Sequence, residues 1–271
     1  MDSINKMLYG IIGLWLFFAI FFGFFDLEIS KLAVIYNDSL WSELGDDYGN
    51  KFGNSLFYLA ITILIGSIFN DIKMQRKIGL IMILYAIAVL QYTVVNQSTK
   101  HLFEPTIMII TLVTFLLLTF NKNWRELVPM AISLILLIII LDFTVSVMKL
   151  TWGRVRFNHL SSDAEFTEWY IINGNGTENA NQSFPSGHTA KAWYFLPLLF
   201  LVKNKEMDKK IKLTLIMSVI GFGLFVAISR VLKGSHYASD VLFSTGLASL
   251  LTIFFYKTFS LKEFSYKEFN Y

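Results

Sequence analysis

The stretch Ser229 to Asp240, SRVLKGSHYASD, sets an arginine, a histidine and an aspartate inside an otherwise apolar chain. Gly234 breaks one helix and Ser235 suits the N-cap of the next. This predicts His236 in a first turn, with Asp240 four residues on along the same helical face. A carboxylate at that spacing can hold one ring nitrogen of the imidazole and fix its tautomer. The other nitrogen is then left basic, as a histidine nucleophile or general base requires. Arg230, six residues before His236, adds a planar cation, so the substrate of such a centre would be anionic. A polar loop capping two helices is the bland reading of the same residues.

Two more stretches offer chemistry of the same kind. KLTWGRVR, Lys149 to Arg156, places Lys149, Arg154 and Arg156 in quick succession around a tryptophan and a glycine. A single lysine at a helix end would only snorkel to the headgroups. SFPSGHT, Ser183 to Thr189, shapes a turn at Pro185, Ser186 and Gly187 whose amides open into a helix, with His188 in its first turn. Together these residues supply cations, backbone donors and two histidines, one of them backed by a carboxylate. Phosphoryl transfer needs that inventory, because charge on the equatorial oxygens must be clamped while nucleophile and leaving group stand in line.

The elements that must position these residues are membrane helices. Of 271 residues, 55% are hydrophobic and 16% charged, and mean hydropathy is +0.55, too apolar for a soluble domain of this size. Apolar runs near 8–25, 54–70, 78–95, 105–120, 128–148, 188–202, 211–230 and 237–256 predict an all-α, polytopic membrane bundle of about eight transmembrane helices. The runs at 54–70 and 105–120 are short against the roughly 20 residues a bilayer needs, so six or seven spans remain open. The first run is long, rich in phenylalanine and lacks a small-residue cleavage site, which reads as an anchor. Segment 26–53 fits an interfacial helix or a plain connector. With the N-terminus in the cytoplasm, 14 of the 23 lysines and arginines lie inside and 9 outside, which puts all three stretches on the extracytoplasmic face and both termini in the cytoplasm. The chain holds no cysteine, which excludes disulfides and thiolate chemistry. No basic stretch with interleaved aromatics suggests nucleic acid, and neither a metal site, a cofactor nor an obligatory protein partner is expected.

Lys149 with six residues to Arg156, PSGH at 185–188, and Ser229, Arg230, His236 and Asp240 at their spacing resemble the three signature blocks of the type 2 phosphatidic acid phosphatase superfamily. The resemblance implies a six-helix phosphatase core and metal-independent dephosphorylation of lipid phosphates through a phosphohistidine. By that resemblance His236 is the nucleophile, Asp240 its partner and His188 the general acid, while Lys149, Arg156, Ser186, Gly187 and Arg230 bind phosphate. Phe157 departs from the pattern, which usually carries proline there. Arg154 is additional and is expected to read a second phosphate or face headgroups. Asp142, about 10 Å deeper on the helix of Lys149, is expected to orient or hydrate Lys149 through Ser146. The implied organisation is 1–77 as a two-helix membrane extension, 78–258 as the core including the outer loop 150–187, and 259–271 as a cytoplasmic tail.

The expected partners are a lipid phosphate and the bilayer. An AT-rich bias favours a bacterial cytoplasmic membrane. The expected function is hydrolysis of undecaprenyl pyrophosphate, phosphatidylglycerol phosphate, diacylglycerol pyrophosphate or phosphatidate. The alternatives are a phosphotransferase with a hydroxyl acceptor, or a lipid-phosphate carrier.

Overall fold

The computed structural model describes residues 3–49, 51–96, 101–203 and 207–268, and these are helical with connecting loops and no strand. Lys100 and Lys205, both counted for sidedness, and residues 269–271 of the expected tail lie outside them. The principal helices are α1 (Ser3–Ala33), α2 (Leu40–Tyr48), α3 (Phe52–Ser67), α4 (Ile72–Val95), α5 (Phe103–Leu118), α6 (Val128–Trp152), α7 (Gly187–Ala192), α8 (Lys209–Leu232) and α9 (Ala238–Glu268). Every apolar run of the sequence lies on a helix. Among the described residues five segments are long and apolar enough to cross a membrane: Asn5–Tyr36, Ile72–Val95, Trp124–His159, Lys209–Leu232 and Ala238–Phe259.

The other three expected spans are helical but short. α3 and α5 have 16 residues each. The run at 188–202 is a six-residue α-helix that continues as a 3-10 helix, Trp193–Lys203, around Pro197. A 3-10 helix rises about 2.0 Å per residue against 1.5 Å in an α-helix, so this segment still extends roughly 30 Å. Large side chains such as Phe17, Phe24, Leu84, Leu117, Phe143 and Phe254 stand exposed on the outside of the bundle, as a lipid-facing surface requires.

α6 is the axis of the bundle. Leu134, Leu137 and Leu141 are fully buried and face α3, α9 and the 3-10 segment. α1 packs along α9, with Trp15 Nε1 donating to the Leu242 carbonyl at 3.2 Å. The first helices are therefore built into the same bundle. The expected boundaries also fall inside continuous helices, 77/78 in α4 and 258/259 in α9, so the backbone marks neither. The segment 26–53 is not a plain connector, because α1 continues to Ala33 and α2 docks on α8. All three chemistry-bearing stretches meet at one end of the bundle, where α6 and α8 finish and α7 and α9 begin.

Candidate active site

α6 ends at Gly153, whose left-handed φ of 59° closes a C-cap with its amide on the Lys149 carbonyl at 3.2 Å, a conformation that favours glycine. The carbonyls that this ending leaves unpaired are taken by the outer loop. Asn173, Gly174 and Gly176 donate their amides to Trp152, Thr151 and Leu150 at 2.8, 3.0 and 3.2 Å. The Asn/Gly run at 173–176 is thus a helix cap. Beyond Gly153 the chain pairs with the segment that leads into PSGH: Arg156 N donates to Ala180 O at 2.9 Å and Ser183 N to Arg154 O at 3.0 Å. Phe157 opens a short 3-10 turn, and Asn158 N donates to Gly234 O at 2.9 Å. Backbone hydrogen bonds fix the loop that lacks the usual proline.

α9 begins at Ala238, not at His236. Ser235 therefore does not cap it. Asp240 does so from inside the first turn, its Oδ2 accepting the Tyr237 amide at 2.9 Å, the reciprocal half of a capping box. His236 lies in the turn before the helix. Gly234 shapes that turn with φ 67°, and the His236 amide reaches back to Arg230 O at 3.3 Å.

His236 is almost wholly buried, and its Nδ1 lies 2.6 Å from the Ser183 carbonyl oxygen. The nearest Asp240 oxygen is 3.4 Å away. A carbonyl can only accept, so this contact assigns the proton to Nδ1 and leaves the lone pair on Nε2. The expected partner of the histidine, Asp240, is thus the second acceptor rather than the first. It acts through Ser183, whose hydroxyl donates to Asp240 Oδ2 at 2.5 Å. Burial holds the His236 imidazole down to about 3, against the pull of the accepting Asp240 carboxylate, and the charges of Lys149 and Arg230 push the same way as burial. The ring is neutral at neutral pH.

Asp240 Oδ1 accepts from Arg154 Nη1 at 2.7 Å. This overturns the expectation for Arg154, which is 0% exposed and neither faces headgroups nor is placed to read a phosphate. Its Nη2 pairs with Asp26 of α1 at 2.9 Å, Nη1 also reaches Ser239 Oγ at 2.8 Å, and Nε donates to Thr167 O at 2.8 Å. Tyr237 lies under the guanidinium at 4.0 Å. Asp26 in turn accepts from the Ser239 amide at 3.0 Å and from its hydroxyl. A cation and two carboxylates, all buried, are hydrogen-bonded on every side, as low dielectric demands.

The remaining cations face a common region. Lys149 lies beside Gly187, where a Cβ would stand 3.7 Å from Lys149 Cε, and its Nζ donates to Gln182 O at 2.8 Å. Arg156 Nη2 donates to Asn179 Oδ1 at 2.8 Å, while its buried Nε has no partner among the described residues. Arg230 pairs with Asp46 of α2, and its Nε is likewise buried without a partner among the described residues. His188 is half-buried, within the fields of Arg230, Lys149 and Asp46. Ser186 is used by the fold: its hydroxyl caps α7 against Thr189 N, and its amide donates to Asp240 O at 3.2 Å. Asp142 does not serve Lys149 through Ser146, which is exposed. It accepts instead from Tyr194 Oη.

Sequence reasoning missed Asp26 and Asp46. Asp26 carried a readable signal, since a carboxylate after FFGFF needs a buried partner. A cavity of about 550 Å³ lined by Tyr58, Tyr85, His101, Glu104 and Tyr194 lies apart and includes none of the residues expected to bind phosphate.

The family model described as PAP2 superfamily matches residues 126–263, just over half of the chain, and takes in all three stretches. The chain belongs to this superfamily, the type 2 phosphatidic acid phosphatases. It is similar to phosphatidylglycerophosphatase B of Haemophilus influenzae, with 36% identity over 104 residues. The match covers 36% of this chain and 41% of that protein. No solved structure matches the chain.

Proposed function

We propose that the protein is a lipid phosphate phosphatase of the extracytoplasmic membrane face, hydrolysing a terminal lipid phosphate by way of His236. The observation that carries this reading is the Ser183 carbonyl at 2.6 Å from His236 Nδ1, which leaves the lone pair of a neutral ring on Nε2, within the fields of Lys149 and Arg230. His236 Nε2 attacks phosphorus and the bond to the lipid oxygen breaks. His188, carrying a proton taken up as the dianionic phosphate binds, gives that oxygen its proton. Water then attacks the phosphohistidine, His188 recovers a proton from it, and phosphate leaves with His236 neutral again. Arg156 and Arg230 meet the equatorial oxygens with donors that the protein leaves unspent, and Lys149 supplies a third charge beside the Gly187 turn. Asp240 positions the nucleophile through Ser183 and the Tyr237 amide.

The likeness to phosphatidylglycerophosphatase B supports phosphatidylglycerol phosphate as the first substrate to try. The reacting residues sit at helix ends on one side of the bundle rather than at its middle, which favours an enzyme over a carrier. The lysine and arginine distribution supports both termini inside, and the likeness to a Haemophilus influenzae protein supports a bacterial cytoplasmic membrane. In this division of labour, 78–258 carries the reacting groups, and 1–77 contributes Asp26 and Asp46. The test uses right-side-out vesicles given phosphatidylglycerol phosphate, phosphatidate and a lipid pyrophosphate from outside. Orthophosphate is expected in the external medium, unaffected by EDTA and absent with His236→Ala. Release by the alanine variant, or release only after the vesicles are opened, contradicts the reading.

A further inference from the structure

In the proposed reaction a buried ring gains a positive charge. When His236 Nε2 bonds to phosphorus, Nδ1 keeps its proton, because the Ser183 carbonyl that faces it at 2.6 Å cannot take one. A neutral imidazole thus becomes an imidazolium where burial and the charges of Lys149 and Arg230 already oppose a cation. Asp240 lies on the Nδ1 side, its nearest oxygen at 3.4 Å, and is the carboxylate that faces the new charge. Its other oxygen accepts from Arg154 at 2.7 Å. A guanidinium paired with it one to one would leave little net charge for the ring.

Asp26 of α1 changes that count. The side chains of Arg154, Asp26 and Asp240 are at most 1% exposed, so two carboxylates share one enclosed cation and one negative charge is left over. Asp26 is held as the carboxylate: Oδ1 accepts the Ser239 amide, and Oδ2 accepts Arg154 Nη2 and the Ser239 hydroxyl, whose oxygen in turn accepts from Arg154 Nη1. Two tryptophans keep α1 in this register, Trp15 Nε1 on the Leu242 carbonyl and Trp169 Nε1 on that of Ala19 at 2.9 Å. A neutral side chain would tie α1 to α9 at a smaller desolvation cost, so what the carboxylate adds is charge. We propose that Asp26 is a positioning residue of the reaction, acting through Arg154: it offsets the guanidinium so that Asp240 meets the imidazolium with its charge uncancelled.

The inference rests on the phosphohistidine reading of this site, and its test separates the two. The full chain in detergent is mixed rapidly with saturating, phosphate-labelled nitrophenyl phosphate. Nitrophenolate release gives the rate constant of phosphorylation, and loss of acid-labile label after an unlabelled chase gives that of phosphohistidine hydrolysis. Misfolded protein lowers the amplitudes and leaves both constants unmoved. Saturation removes the opposing effect of the same negative charge on anion binding. In Asp26→Asn phosphorylation is expected to slow about tenfold, the order for one charge in a polar interior, while hydrolysis, which discharges the ring, is not slowed. Adding Arg154→Gln to Asp26→Asn removes one charge of each sign and leaves Asp240 its own, so phosphorylation should return to within about threefold of wild type. This double variant decides by itself where Asp26→Asn yields no folded chain. Loss of amplitude alone in Asp26→Asn, or equal slowing of both steps, overturns the inference. So does a double variant that fails to fold or stays about tenfold slow, which would make the cluster only a clasp for α1. No trapped phosphate in the wild type overturns the phosphohistidine reading instead.

Discussion

Arg154 and Arg156 are two residues apart in the same segment and do opposite work. Arg154 spends its donors on Asp26, Asp240, Ser239 and the Thr167 carbonyl, and no part of it reaches solvent. Arg156 is half-buried, has one side-chain partner in Asn179 and keeps a buried Nε unpaired. A saturated guanidinium holds the fold, and an unsaturated one is available to a ligand. The same contrast separates the carboxylates. Asp240 and Asp26 are enclosed with Arg154, whereas Asp46 stands partly open beside Arg230.

The sharpest way to break this contrast is to remove each arginine in turn. Arg154→Ala leaves two buried carboxylates facing each other, which costs about 3–5 kcal/mol and should lower the Tm in detergent by roughly 10 °C or more. Arg156→Ala should barely move the Tm yet lower kcat about a hundredfold, the scale for losing one pre-organised donor. Equal Tm losses, or a stable Arg154→Ala that has lost only turnover, would erase the distinction. A smaller effect follows from His236. Its pKa falls from about 6.5 when unfolded to about 3 when folded, so the unfolded chain binds the extra proton between those values. The stability that the neutral ring contributes is present above about pH 6.5 and is lost as pH drops towards 3. His236→Asn should flatten the fall in Tm between pH 6.5 and 4.5, and an unchanged slope would mean that the ring is already solvated in the fold.

Much of the candidate site was legible because the residues proposed to react sit in three short blocks whose spacing survives in the sequence. Their meeting at one end of the bundle followed from counting helices. The misplaced roles share one cause. The Arg154–Asp26 and Arg230–Asp46 pairs join residues 128 and 184 positions apart, and no local pattern links such partners. Asp142 was matched to Lys149 because helical periodicity puts them on one face, yet it bonds to Tyr194 from another segment. The expected role of α2 stopped at an interfacial helix or connector, because the function of Gly45 and Gly49 emerges only when Ser229 and Val226 lie opposite. The start of α9 was placed too early because Ser235 makes a good cap in isolation, while Asp240 caps the helix from inside its first turn.

Rapid mixing with nitrophenyl phosphate and an alkyl phosphate, followed by trapping of acid-labile phosphate, tests the central claim most directly. If His236 Nε2 attacks phosphorus, His236→Ala forms no trapped phosphate and releases no burst from either substrate. His188→Ala should then give a burst of nitrophenolate and slow turnover, with phosphate held on His236. Against the alkyl ester, whose leaving oxygen needs a proton, it should lose about a hundredfold or more. A burst from His236→Ala, or an equal loss of phosphorylation rate on both substrates in His188→Ala, would contradict the assignment of nucleophile and acid.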